Sequence, residues 1–266
     1  MHSTLATLID RFERSPISRL RVIPWSSPVP SFGDLSRATV ASLGLNPSNR
    51  EFVDNRGREL DGELRRFHTL RSLEIGSWSD IDAHHLRLVV QACQEYFFRN
   101  PYDRWFRRLD AVISGTGTSF YDAFFPACHL DLIPFATACK WTDLEGVQRA
   151  GLLRVAGDTL ALLLRQSPVR LLVVNGQSVV DHFQDLAGIT LKKIAMPEWT
   201  LPRQSGPGVA GVAYRGVVDT LSGLPLGNRL VVVGYNHNLQ SSFGVTNQVI
   251  GAIRRWISVQ AAEALA

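Results

Sequence analysis

Four short runs of continuously apolar, largely β-branched residues punctuate the chain, near residues 38–45, 127–133, 169–174 and 229–234. Each is too short for a core helix and too evenly apolar for a strand with one wet face. Each therefore reads as a strand buried on both sides. A polar or turn-forming group closes every run: Asn46-Pro47-Ser48, Asp131 to Pro134, Asn175-Gly176 and Asn236-His237-Asn238. Pro47 has no N–H to give to a ladder, so the first strand ends by Asn46.

Between the runs the apolar spacing turns helical. Leu5 to Phe12 is amphipathic, and Leu60, Leu64, Phe67, Leu70 and Leu73 predict a helix over Glu59 to Leu73. Further helices are expected over Asp80 to Phe98 with Ser79 or Asp80 as cap, Pro101 to Ile113, Leu144 to Arg165, Gly176 to Phe183 and Val245 to Val259. Glycines, prolines and short β-like runs from Pro197 to Thr220 predict a loop and a hairpin. The pattern predicts a three-layer α/β/α sandwich on a central four-stranded, mainly parallel sheet. One domain spans 1–266, with a helical and extended N-terminal segment over 1–36, and there is no internal repeat. Parallel strands bring their carboxyl-end turns to one edge, where open α/β sheets bind ligands. Asn46, Asp131 and His237 are thus expected to share a cleft.

The composition narrows the chemistry. No apolar run approaches the length of a membrane helix, and residues 1–20 lack a signal-peptide core. The three cysteines form no C-x-x-C pair, so disulfides, zinc and iron–sulfur clusters are not expected, and no metal or cofactor is called for. A cytoplasmic monomer is the expected setting. Net charge is +4 with a pI near 9.2, and lysine occurs only at Lys140, Lys192 and Lys193. Arginine forks suit phosphate, so the balance is compatible with a polyanionic partner. His84-His85 reads as a solvated helix face. There is no G-x-x-x-x-G-K loop and no G-x-G-x-x-G after the first strand, which argues against NTPase and dinucleotide chemistry.

The turns, taken in order, resemble motifs of the uracil-DNA glycosylase superfamily. Gly44-Leu45-Asn46-Pro47-Ser48 is similar to its first motif, Gly-x-Asp/Asn-Pro. Asp131, in His129-Leu130-Asp131-Leu132, stands where the superfamily has its base-reading residue, usually Asn. Gly234-Tyr235-Asn236-His237-Asn238 stands where it has His-Pro-Ser, without the proline. The resemblance covers residues 36–260 as an order of elements and implies a monofunctional, metal-independent DNA glycosylase that flips a base out and hydrolyses its N-glycosidic bond.

On that resemblance Asn46 orients the attacking water and His237 donates to the developing base anion. Asp131, Ser48 and Phe52 would contact the base, Phe52 by stacking, while Asn49, Arg50 and Asn238 would lie against DNA. As a carboxylate Asp131 can only accept hydrogen bonds, which suits cytosine's exocyclic amine better than uracil's O4. Ser48 replaces a tyrosine that excludes C5 substituents in the uracil-selective branch. The expected substrate is therefore a cytosine-type base modified at C5. The rival readings are a non-catalytic nucleic-acid-binding module on the same fold and an enzyme acting on free nucleosides or nucleotides.

Overall fold

A computed structural model describes residues 1–266 except Pro16, Gln204, Ser241, Phe243 and the side chain of Ser18. The four apolar runs form strands β1 (Val40–Gly44), β2 (Cys128–Asp131), β3 (Leu171–Asn175) and the second half of β6 (Leu224–Tyr235). They lie side by side, all parallel, in the order β2-β1-β3-β6. Every residue of β1, β2 and β3 is buried, as continuously apolar strands require.

The sheet has six strands rather than the expected four. Two more, β4 (Lys192–Ala195) and β5 (Val212–Leu221), extend it antiparallel beyond β6. Neither carries a continuous apolar run. β5 mixes buried and exposed positions, and β4 is an edge strand whose two lysines face solvent, a common protection of an open edge. A two-residue turn at Ser222 and Gly223, both at positive φ (50° and 75°), folds β5 onto β6; this turn matches the twist of a hairpin.

Seven α-helices are described: α1 (His2–Arg14), α2 (Ala83–Gln94), α3 (Asp103–Ile113), α4 (Gly146–Ala156), α5 (Thr159–Arg165), α6 (Gln177–Ala187) and α7 (Asn247–Leu265). One face of the sheet, through Val40, Leu171, Val173 and Val233, packs on α3 and α7. The opposite face, through Ala41, Leu43, Leu172 and Val174, packs on α5 and α6. α1 buries Leu5, Leu8 and Phe12 against Val89 and Val90 of α2 and Leu152 of α4, so the N-terminal segment is built into the core.

Three helix expectations need correction. Glu59 to Leu73 is not an α-helix but two 3₁₀ turns, Gly62–Leu64 and Arg71–Leu73, joined by extended chain. Leu64 is 63% exposed, so the helical spacing buries no continuous stripe. The helix expected from Asp80 starts at Ala83, because the Asp82 carboxylate accepts from the amides of His84 and His85 while the His85 ring reaches back to the Asp82 amide. Leu144 to Arg165 is divided at Gly157 (φ 55°) and Asp158 into α4 and α5. Arg11 covers the break, donating to Ala156 O at 3.0 Å and pairing with Asp158 at 2.6 Å.

Candidate functional site at the carboxyl edge

The register aligns the strand ends. Asp131 pairs with Gly44 and Asn175 with Tyr235, and continuing β1–β3 past Leu43–Val174 brings Gly44 level with Asn175. Asp131, Gly44, Asn175 and Tyr235 therefore form one row across the carboxyl ends, facing the α3–α7 side. Asn46 and His237 each lie two residues beyond that row, on the exits of β1 and β6. Two strand spacings separate those exits, roughly 10 Å along the sheet.

Within the row, Gly44 leaves open the space that Asp131 fills. A Cβ there would overlap Asp131 Oδ1 and come within 3.0 Å of the His129 ring. Asp131 Oδ1 lies 3.3 Å from His129 Nε2, and His129 Nδ1 lies 2.7 Å from Ser42 Oγ. A carboxylate at Asp131 selects the tautomer with the proton on Nε2, so Nδ1 accepts the Ser42 hydroxyl. Phe32, Trp105 and Phe106 surround the imidazole with ring centroids 5.0–5.4 Å away. The trio has the residue types of a hydrolase triad but not its access. Ser42 is 0% exposed inside a central strand, so no substrate reaches it as a nucleophile. The relay orients Asp131 instead.

Asn46 is half-buried and held by its amide nitrogen. Nδ2 donates to Pro47 O and to Thr137 Oγ1, both at 3.0 Å, and the Thr137 hydroxyl donates on to Cys139 O at 2.7 Å. Pro47 O can only accept, which fixes the orientation of the amide. Oδ1 has no protein partner among the described residues and can accept from a water molecule.

Glu51 escaped the sequence reading. Ser48 Oγ accepts from the Arg50 amide and caps the 3₁₀ turn Asn49–Glu51, which turns Glu51 inward to 2% exposure. Tyr96 donates its hydroxyl to Glu51 at 2.7 Å, and Arg66 Nε stands 3.9 Å away. Burial pushes the Glu51 carboxyl up to about 7; Tyr96 and Arg66 oppose the shift, and the charge of Asp131 adds to it. The site thus contains two electrostatically linked buried carboxyls. The only sequence signal for Glu51 is an acid between a strand-exit turn and a buried phenylalanine. Asn175 Oδ1 and the Tyr235 hydroxyl, both in the row and both buried, have no hydrogen-bond partner among the described residues, and such groups call for an explanation.

The remaining predicted residues are placed less favourably. Phe52 is a core residue rather than an open stacking platform, 1% exposed and packed against Trp25 and Phe67. Its neighbour Glu51 is drawn inward by Tyr96, and the chain carries Phe52 in with it. Ser48 is exposed, Asn49 is half-buried, and the Arg50 guanidinium donates to Asp54 O of its own loop. Asn238 is exposed, its side-chain Oδ1 accepting from the backbone N–H of Gln240. His237 is buried with Nε2 2.7 Å from Trp199 O, and burial lowers its pKa. A carbonyl only accepts, so the one N–H of the neutral ring is committed to Trp199. No hydrogen bond links Asn46, Asp131 and His237 to one another among the described residues, nor do these contain a cluster of three or more metal-ligating side chains. No described helix is long and apolar enough to cross a membrane. Compared with models of known protein families and with curated protein sequences, the chain matches none.

Proposed function

We propose that the protein is a DNA glycosylase that takes a flipped-out base into the carboxyl edge of its sheet and hydrolyses the N-glycosidic bond, favouring a C5-modified cytosine over uracil. The observation that carries this reading is the environment of Asp131. It is a buried carboxylate paired with the His129 imidazole and, among the described residues, in no ion pair with an arginine or lysine, so its acceptor capacity is not consumed by a cation. An acceptor of this kind suits an exocyclic amine and repels a carbonyl oxygen, and a wrong base leaves a buried polar group unpaired.

In the proposed reaction the C1′–N bond breaks with its electron pair moving to the base, the sugar takes on oxocarbenium character, and water adds at C1′. Asn46 Oδ1 orients that water, whose proton is lost after attack, so the weakly basic amide suffices. Glu51, holding a proton up to about pH 7, keeps the buried site from carrying two adjacent negative charges. His237 stabilises the leaving base once its N–H exchanges Trp199 O for the base oxygen. The test is incubation with a panel of duplexes carrying modified bases, followed by alkali cleavage at abasic sites; strand breaks on no member of the panel would reject the reading.

A further inference from the structure

An open groove of about 710 Å³ runs between α3 and α7, and its charge is one-sided. Arg104, Arg107 and Arg108 line it from α3 and Arg254 from α7, against a single lining acid, Asp103. Four cations less one anion leaves +3, where the whole chain carries +4. Asp103 is already engaged, accepting the Tyr121 hydroxyl at 2.6 Å and lying 3.4 Å from Arg107. Beneath the groove Asp110 is taken up by the Ser119 hydroxyl and the Phe120 amide. Arg104 and Arg254 are exposed and have no ion-pair partner within 4 Å among the described residues. A fifth guanidinium, Arg255, stands at the rim, 3.7 Å from the Cβ position of Gly251.

The helices that wall the groove also contact the carboxyl-edge site. Trp105, beside Arg104, packs on the His129 ring that holds Asp131. The Tyr102 amide at the start of α3 donates to the Tyr96 hydroxyl, which donates to Glu51. Arg108 donates to Val245 O, joining α3 to the segment that leads from His237 into α7.

We propose that the α3–α7 groove binds the phosphodiester backbone of the nucleic acid whose base occupies the site. The assignment rests on the glycosylase reading for what enters the site, but the binding depends only on the arginines. Planar guanidiniums on two facing helices match successive phosphates.

The test is oligonucleotide binding over a range of salt concentrations by wild type, Arg104→Glu/Arg254→Glu and Lys192→Glu/Lys193→Glu. The last makes the same charge change on the β4 edge, three strands from β3. The arginine pair should weaken binding at least about tenfold and flatten the slope of log K against log salt by about 2, whereas the lysine pair should leave both nearly unchanged. Arg104→Gln/Arg254→Gln should give a smaller loss in the same direction, with melting temperature checking the fold. Equal weakening by the arginine and lysine pairs, or binding of inorganic tripolyphosphate without oligonucleotides, would overturn the proposal. Base release is scored separately. Excision with normal binding by the groove variants refutes the groove alone, and groove-dependent binding without base release refutes the glycosylase reading alone.

Discussion

Gly44 and Asp131 are paired across β1 and β2, and the missing side chain of the first makes room for the carboxylate of the second. The glycine is required by close approach and not by backbone conformation, since its φ is not positive. Gly44→Ala forces Asp131 and the His129 ring apart. It should cost about 1–3 kcal/mol of stability, the usual scale of overpacking, and lower base release far more than Ala41→Gly, a change on the opposite face of β1. Denaturant midpoints and single-turnover rates measured together check this.

Glu51 gives the fold a distinctive pH dependence. Its carboxyl rises from 4.5 to about 7 on folding, so the folded state holds the proton more tightly than the unfolded chain. The contribution is fully present below pH 4.5 and is lost as pH rises through 7, by roughly 3 kcal/mol. Buried His68, lowered to about 4 chiefly by desolvation, slopes the other way between 6.5 and 4. The comparison is therefore with Glu51→Gln, which keeps His68. The variant should gain stability over wild type steadily from pH 4.5 to 7 in urea unfolding, and a constant difference would contradict the assignment.

Thr137 holds Asn46 through its amide nitrogen. Asn46→Ala should lower base release by about 10²–10³, the usual cost of one transition-state hydrogen-bonding group, with the fold intact. Thr137→Val should cost about 0.5–1.5 kcal/mol of stability and reduce the single-turnover rate, with substrate affinity unchanged. The rate and the dissociation constant, determined separately for both variants, decide it.

His237 anchors Trp199 as well as bearing the role proposed for it. His237→Ala leaves Trp199 O unpaired in a buried position and should cost about 1–3 kcal/mol together with a rate loss. A stability loss with a full rate would make His237 a structural residue only, as read from melting curves and excision assays on the same preparation.

The sheet was legible where its strands are buried on both faces, because continuous apolar runs such as Val169 to Val174 have no other stable placement. The parallel arrangement then put Asn46, Asp131 and His237 on one edge with no further information. The hairpin expected over Pro197 to Thr220 includes most of β5, but β4 and the joining of both strands to the sheet were missed because edge and hairpin strands share their burial with solvent, so Lys192 and Lys193 look like loop residues. Helical spacing failed at 59–73 because periodicity records apolar positions and not whether a partner covers them, and nothing covers Leu64. The Asp131–His129–Ser42 relay depends on strand register, and Glu51 depends on Tyr96, forty-five residues away. Such long-range pairings leave no local trace.

The most direct measurement is a single-turnover competition between a uracil duplex and a C5-modified cytosine duplex, for wild type and Asp131→Asn. Wild type should release the modified cytosine in preference to uracil, and Asp131→Asn, which restores a donor as well as an acceptor, should move the preference toward uracil. Release of neither base, a wild-type preference for uracil, or a preference unmoved by the exchange would contradict the account.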